Sequence, residues 1–246
     1  FALEAAIMAL AVQMALGWPL VVCYVLCALV VIPMVLYGVT FISKLQAWTQ
    51  PLWALMLLTP YLSLAFAQPQ FVHELPGLSG LTSGSADFNW LYFGSASTVI
   101  FALIVQVGEQ VDYLRFMPRK TAANRGRWWF CVLMGGPGWI LMGAARMLGG
   151  AYLAYVALQF GSTVAEASDP THLYLTAFGK IIQDPGIALW VTLIFVIMAQ
   201  IKINVTNAYA GSLAWSNVFS RITRSHPGRV VWLVFNVMIA MLIMTL

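Results

Sequence analysis

Residues 186–220 read GIALWVTLIFVIMAQIKINVTNAYAGSLAWSNVFS, an apolar run long enough to enter a bilayer that becomes amide-rich and cationic with no turn signal between the two parts. At about 1.5 Å per residue, Lys202 lies roughly 24 Å along a helix that starts at Gly186, beyond easy reach of either end for a snorkelling ammonium. Gln200, Asn204, Asn207 and Gly211 follow the spacing of one helix face, while Lys202, Thr206 and Tyr209 fall on the opposite one. A helix with polar groups on both faces at membrane depth has to be covered by protein or line a wet cavity. Two readings fit the amides: hydrogen-bonded glue between helices, or a solute or ion site near the midplane. Lys202 favours the second, because an ionisable side chain inside a span marks a functional site by default.

The rest of the chain agrees with a bilayer setting. Its 246 residues are 61% hydrophobic and 8% charged, against about 25% charged in a soluble domain, and the mean hydropathy is +0.86. The expected fold is therefore all-α and polytopic. Seven spans are expected, near residues 1–16, 20–42, 46–67, 90–111, 128–160, 186–220 and 230–246, forming one incomplete transmembrane domain. Phe1 and Leu246 both sit in apolar runs, which reads as a piece of a longer protein with helices missing at both ends. Bends are expected at Pro33 and Gly38, prolines inside the third span at Pro51 and Pro60, and a break at Gly135-Gly136-Pro137-Gly138. Gly94-Ser95-Ala96-Ser97 is a stretch able to unwind. Residues 68–89 and 161–185 read as loops, the first with only Glu74 and Asp87 charged.

Cation placement sets an orientation. Nine of the twelve Lys and Arg residues fall in or beside segments 43–45, 112–127 and 221–229, after the second, fourth and sixth spans, whereas loops after the odd spans hold only Lys180. Such alternation follows the positive-inside rule and puts the basic segments in the cytoplasm of an inner or plasma membrane. Topology thus accounts for the basic loop without nucleic acid. Cys23, Cys27 and Cys131 lack metal-ligand spacing and His73, His172 and His226 are scattered in loops, so no metal site is expected. No nucleophile or zinc motif is present, and the chain is not expected to be an enzyme.

Asp112-Tyr113-Leu114-Arg115-Phe116 resembles the Asp-aromatic-x-Arg-aromatic signature closing the sixth helix of the nucleobase:cation symporter-1 family, the purine, cytosine, allantoin and hydantoin permeases. Thr206-Asn207-Ala208-Tyr209-Ala210-Gly211-Ser212, followed by Ser216-Asn217-Val218-Phe219, is similar to that family's eighth helix and the turn after it. The resemblance covers the whole chain as helices three to nine of twelve. It implies a leucine-transporter-like fold of five-plus-five inverted repeats, with substrate held among helices one, three, six and eight.

Carried over by position, the resemblance implies that Phe101 and Gln106 stack on and hydrogen-bond a planar heterocycle. Asn207 and Gly211 would face the same ligand, and Gln200 and Asn204, which share their helix face, are candidates with them. A lipid-facing or core role for Phe101 fits the sequence as well. The family's sodium-coupled members offer hydroxyls on adjacent residues of the eighth helix; here Thr206 keeps one, Val205 lacks the other and Lys202 stands close by. A hard cation wants several oxygens, which argues against sodium as the coupling ion. The implied alternative is that Lys202 takes the place of sodium, neutralising Glu109 or Glu4 or carrying a proton. Glu109 and Asp112 with Arg115 form either an inner gate or a local charge cluster, and Arg146 is expected to pair with an acid or a helix carbonyl.

Two functions follow from these implications. One is secondary active transport of a nucleobase-like solute by alternating access. The other is a solute-sensing input domain of a sensor histidine kinase, whose branch is resembled by Gln46-Ala47-Trp48-Thr49-Gln50-Pro51-Leu52-Trp53 and by Gln106-Val107-Gly108-Glu109-Gln110-Val111-Asp112.

Overall fold

The computed structural model describes residues 1–74 and 88–246, without the side chains of residues 102, 103 and 105. Its described residues form helices and no strands. In chain order these are α1 (Ala2–Leu16), α2 (Leu20–Leu29), α3 (Val31–Leu36), α4 (Gly38–Ala67), α5 (Pro69–Glu74) and α6 (Trp90–Leu114). There follow α7 (Arg125–Gly135), α8 (Gly138–Gln159), α9 (Val164–Ala167), α10 (Pro170–Ile181), α11 (Pro185–Thr223) and α12 (Arg229–Thr245). Four helices, α4, α6, α8 and α11, are long and apolar enough to cross a membrane, as befits a membrane protein.

Breaks fall where backbone chemistry demands them. Gly17 closes α1 in the left-handed conformation at φ 68° and donates its N–H to the Gln13 carbonyl, a helix stop that favours glycine. Pro33 removes the amide that would bond Leu29, and α2 ends at Leu29. Between α7 and α8 the chain turns at Gly136, where a Cβ would lie 2.8 Å from the Val132 carbonyl oxygen, and at Gly138, where one would lie 2.7 Å from that of Leu133. Only glycine fits so close to a neighbouring turn of backbone.

Two expected boundaries are corrected. The break between the second and third spans is at Gly38, with φ 78°, and residues 43–45 lie inside α4 rather than in a loop. Pro51 and Pro60 are both within that helix; its 30 residues make it about 45 Å long. Residues 161–185 are not a loop but hold α9 and the 12-residue α10. The latter starts on an Asp169 side chain that accepts from the Thr171 amide, with Pro170 in its first turn. α6 runs unbroken through residues 94–97. Most of the loop expected at 68–89, Asp87 included, lies outside the described residues.

The chain divides into two compact units. In the first, residues 1–67 and 157–246, α11 is the axis against which α1, α3, α4, α10 and α12 pack. Lipid is as apolar as leucine, so contact between such helices depends on close fit more than on escape from water. The seams are accordingly small: Ala5, Ala9 and Ala11 on α1, Cys23, Cys27 and Ala28 on α2, and Ala199, Ala208, Ala210 and Ser212 on α11 are all buried. Near the start of α11 the packing is aromatic, with Phe195 against Phe178 and Tyr174 at ring separations of 6.2 and 4.5 Å. In the second unit, residues 68–156, the Trp139 indole donates to the Gln106 amide oxygen at 2.9 Å. There the Tyr155 hydroxyl also donates to Glu74 at 2.6 Å.

Candidate functional site

α11 is capped at its start by Asp184, whose carboxylate accepts from the Ile187 amide, and continues for 39 residues without interruption. Lys202 lies roughly 26 Å from Pro185 and 32 Å from Thr223 along that axis, and is only 6% exposed. Asn204, two residues on and about 200° around the helix, is fully buried at 0%. Both faces of this turn are therefore covered by protein.

Each face meets a different helix. Toward α4, the Lys202 ammonium donates three hydrogen bonds of 3.0 Å, to the Gln46 carbonyl, the Thr49 hydroxyl and the Gln50 amide oxygen. The Trp53 ring lies 5.8 Å from the same nitrogen. Gln46 returns a bond, its side-chain nitrogen donating to the Lys202 carbonyl at 2.6 Å. The Thr49 hydroxyl gives its own proton to the Leu45 carbonyl at 2.6 Å, which leaves its lone pairs to accept from the lysine. Toward α1, the Asn204 amide, oriented to match its neighbours, donates to the Phe1 carbonyl at 3.1 Å and accepts from the Ala5 amide at 3.3 Å.

The partners of Lys202 correct one expectation. Among the described residues its ammonium bonds three neutral oxygens and no carboxylate. Glu4, on α1, is not among them. Glu109 belongs to the other unit and has partners of its own.

The three amides on this face of α11 do not behave alike. Asn204 is bonded across a helix seam, the glue role. Gln200 has a buried side-chain oxygen with no partner, and Asn207, seven residues further on the same face, makes no hydrogen bond among the described residues. A buried polar atom left unpaired costs about 1–3 kcal/mol unless something supplies its partner. Thr206 donates to the Ile203 carbonyl at 2.6 Å. Gly211 is small because Asn236 of α12 packs on it: a Cβ there would lie 3.0 Å from the Asn236 amide oxygen, which also accepts from the Trp215 indole at 3.1 Å.

The second unit carries the other sequence candidates. Phe101 is 66% exposed on α6. Gln106 spends its oxygen on Trp139, so its NH₂ group is what it has to offer a ligand. Asp112 and Arg115 approach to 4.0 Å, and Arg115 also lies 4.9 Å from the Phe116 ring, a local cluster one turn long. Arg146 is exposed on α8 and has an interaction partner. Among the described residues no three His, Cys, Asp or Glu side chains come together as metal ligands.

Gln46, Thr49 and Gln50 were not expected to touch Lys202, from which they are 152 to 156 positions away. The signal was present as polar residues at i, i+3 and i+4 in an otherwise apolar span, just ahead of an interior proline. No family model matches the chain, nor does any curated protein or solved structure.

Proposed function

We propose that this chain is the core of a secondary active transporter for a nucleobase-like solute, built on a leucine-transporter-like repeat, with the solute held along the amide face of α11. The observation that carries the reading is the buried, unpaired side-chain oxygen of Gln200, with the half-buried Asn207 amide on the same face, about half a turn before and one and a half turns after a buried cation. Amides that donate and accept on one face suit the edge of a purine, cytosine, hydantoin or allantoin ring. Lys202 supplies a positive charge at the same depth, as fixed charge or proton carrier in a coupling mechanism, with Thr206 and Glu4 as further polar groups of that path.

Uptake of radiolabelled purines, cytosine, hydantoins and allantoin into proteoliposomes tests this. Wild type accumulates at least one of them, and Lys202→Met falls more than tenfold. Saturable binding with no uptake in wild type would replace the carrier by the solute-sensing reading, which the tie between α4 and α11 through Gln46 and Lys202 favours by holding two helices together. Neither binding nor uptake of any of them refutes both.

A further inference from the structure

The oxygens around Lys202 constitute a site in their own right. A backbone carbonyl, a hydroxyl and a side-chain amide oxygen converge from residues 46, 49 and 50 of α4 on one point, each 3.0 Å from the nitrogen. All three are neutral, and the charge they surround is 6% exposed and reaches them from another helix. Pro51 follows at once within the helix and leaves the Ala47 carbonyl without its helical amide. Neutral oxygens gathered on one point are how membrane proteins replace the hydration shell of a monovalent cation. An alkylammonium differs from a potassium ion chiefly in its tail, being similar in size and charge.

We propose that the 46–50 turn of α4 is a monovalent-cation site which the chain fills from within, the Lys202 ammonium standing where a free ion would bind. This rests on the reading of Lys202 as the charge at the coupling site, but not on any solute. The contact with Trp53 at 5.8 Å fits the same assignment, since a ring face attracts potassium and ammonium alike. Without its tether the cavity is the shape of a propylammonium, the part of the lysine side chain beyond Cβ. The wild-type protein is then indifferent to the cation in its buffer, and a protein without the lysine depends on it.

The test is thermal unfolding of purified wild type, Lys202→Ala and Lys202→Ala/Thr49→Val in choline, potassium and propylammonium chloride at equal ionic strength. Choline is too bulky to enter. Lys202→Ala melts below wild type in choline and rises by about 5 °C or more in saturating propylammonium. Potassium has a smaller effect of the same sign. Wild type melts at one temperature throughout, and the double variant loses the rise. Should Lys202→Ala not survive heating, the yield of monodisperse protein purified in each salt is read instead, and recovery only with propylammonium or potassium supports the site. Equal melting or equal yield of Lys202→Ala in all three salts, or the same response in wild type, overturns it. Because no solute is present, that failure leaves the amide-face reading to its own experiment.

Discussion

α11 is two helices in one. From Pro185 to Ala199 it buries Leu193, Phe195 and Val196 against Phe178 of α10 and Ala11 of α1, with Tyr174 packed alongside. Its only buried polar side chain there, Thr192, turns back on the Ala188 carbonyl at 2.8 Å. From Gln200 onward the same helix buries Lys202, Asn204 and Ser212 and leaves the Gln200 side-chain oxygen without a partner. Sequence-local forces are equal in the two halves, since one continuous backbone ladder runs through both. What differs is that the first half is satisfied by contact alone, whereas the second carries polar groups that the fold leaves open. Both halves pack against neighbouring helices, and the proposed site falls in the second.

That contrast predicts crossed effects. Phe195→Ala leaves a cavity among Phe178, Tyr174 and Ala11 and destabilises by about 3 kcal/mol, the low end of such changes because lipid and not water surrounds the separated helices. Its melting temperature falls by about 6 °C or more, while uptake per folded molecule stays within twofold of wild type. Lys202→Met does the reverse, with uptake down more than tenfold and a smaller shift in melting. If both variants lose stability and uptake in parallel, the division of α11 is wrong.

Gly211→Ala sharpens the comparison within the polar half. The new methyl meets the Asn236 amide and pushes it off the Trp215 indole, at about 1–2 kcal/mol in thermal or denaturant unfolding. Asn236→Ala in the same chain makes room, so the double variant is less destabilised than the sum of the two singles. Additive losses would mean that Gly211 is small for another reason.

The smallest effect lies outside the spans and serves as a control. Hydrogen bonds from the Thr163 backbone amide and hydroxyl hold the Glu166 carboxylate below its ordinary range, in a reciprocal cap at the start of α9. A lowered folded value means the cap is fully favourable above the ordinary glutamate range near ~4.3 and is lost as pH falls through the lower value. Amide exchange at residues 164–167 therefore quickens on acidification below that range, a trend that Glu166→Gln, which removes the titrating group, abolishes. Exchange there that is indifferent to pH, after correction for the intrinsic rate, contradicts the cap.

Much of this was legible beforehand. The length of α11, the tolerance of Pro51 and Pro60 inside α4, and the break at Gly135–Gly138 all follow from local chemistry, and polar residues 200° apart at Lys202 and Asn204 demanded protein on both sides. The break at Gly38 was read as a bend because Ser43-Lys44 is the more polar punctuation, yet a positive φ stops a helix where an exposed lysine does not. α10 was read as loop because its acidic flanks masked Asp169-Pro170, an N-cap and first turn followed by the buried positions Leu173, Ala177 and Phe178. The partners of Lys202 were hidden for a different reason. Their polar spacing on α4 marks a face, but only tertiary packing says which helix that face meets, and it chose neutral oxygens where a carboxylate had been expected.

Solute affinity in the presence and absence of the Asn207 amide bears most directly on the second half of α11. Titration of purified wild type and Asn207→Ala with purines, cytosine, hydantoins and allantoin should find a ligand for wild type whose affinity drops at least tenfold in the variant, with melting temperature unchanged. Equal affinity in the two proteins would contradict the account, because the amide left open in the fold would then have nothing to do with what the protein binds.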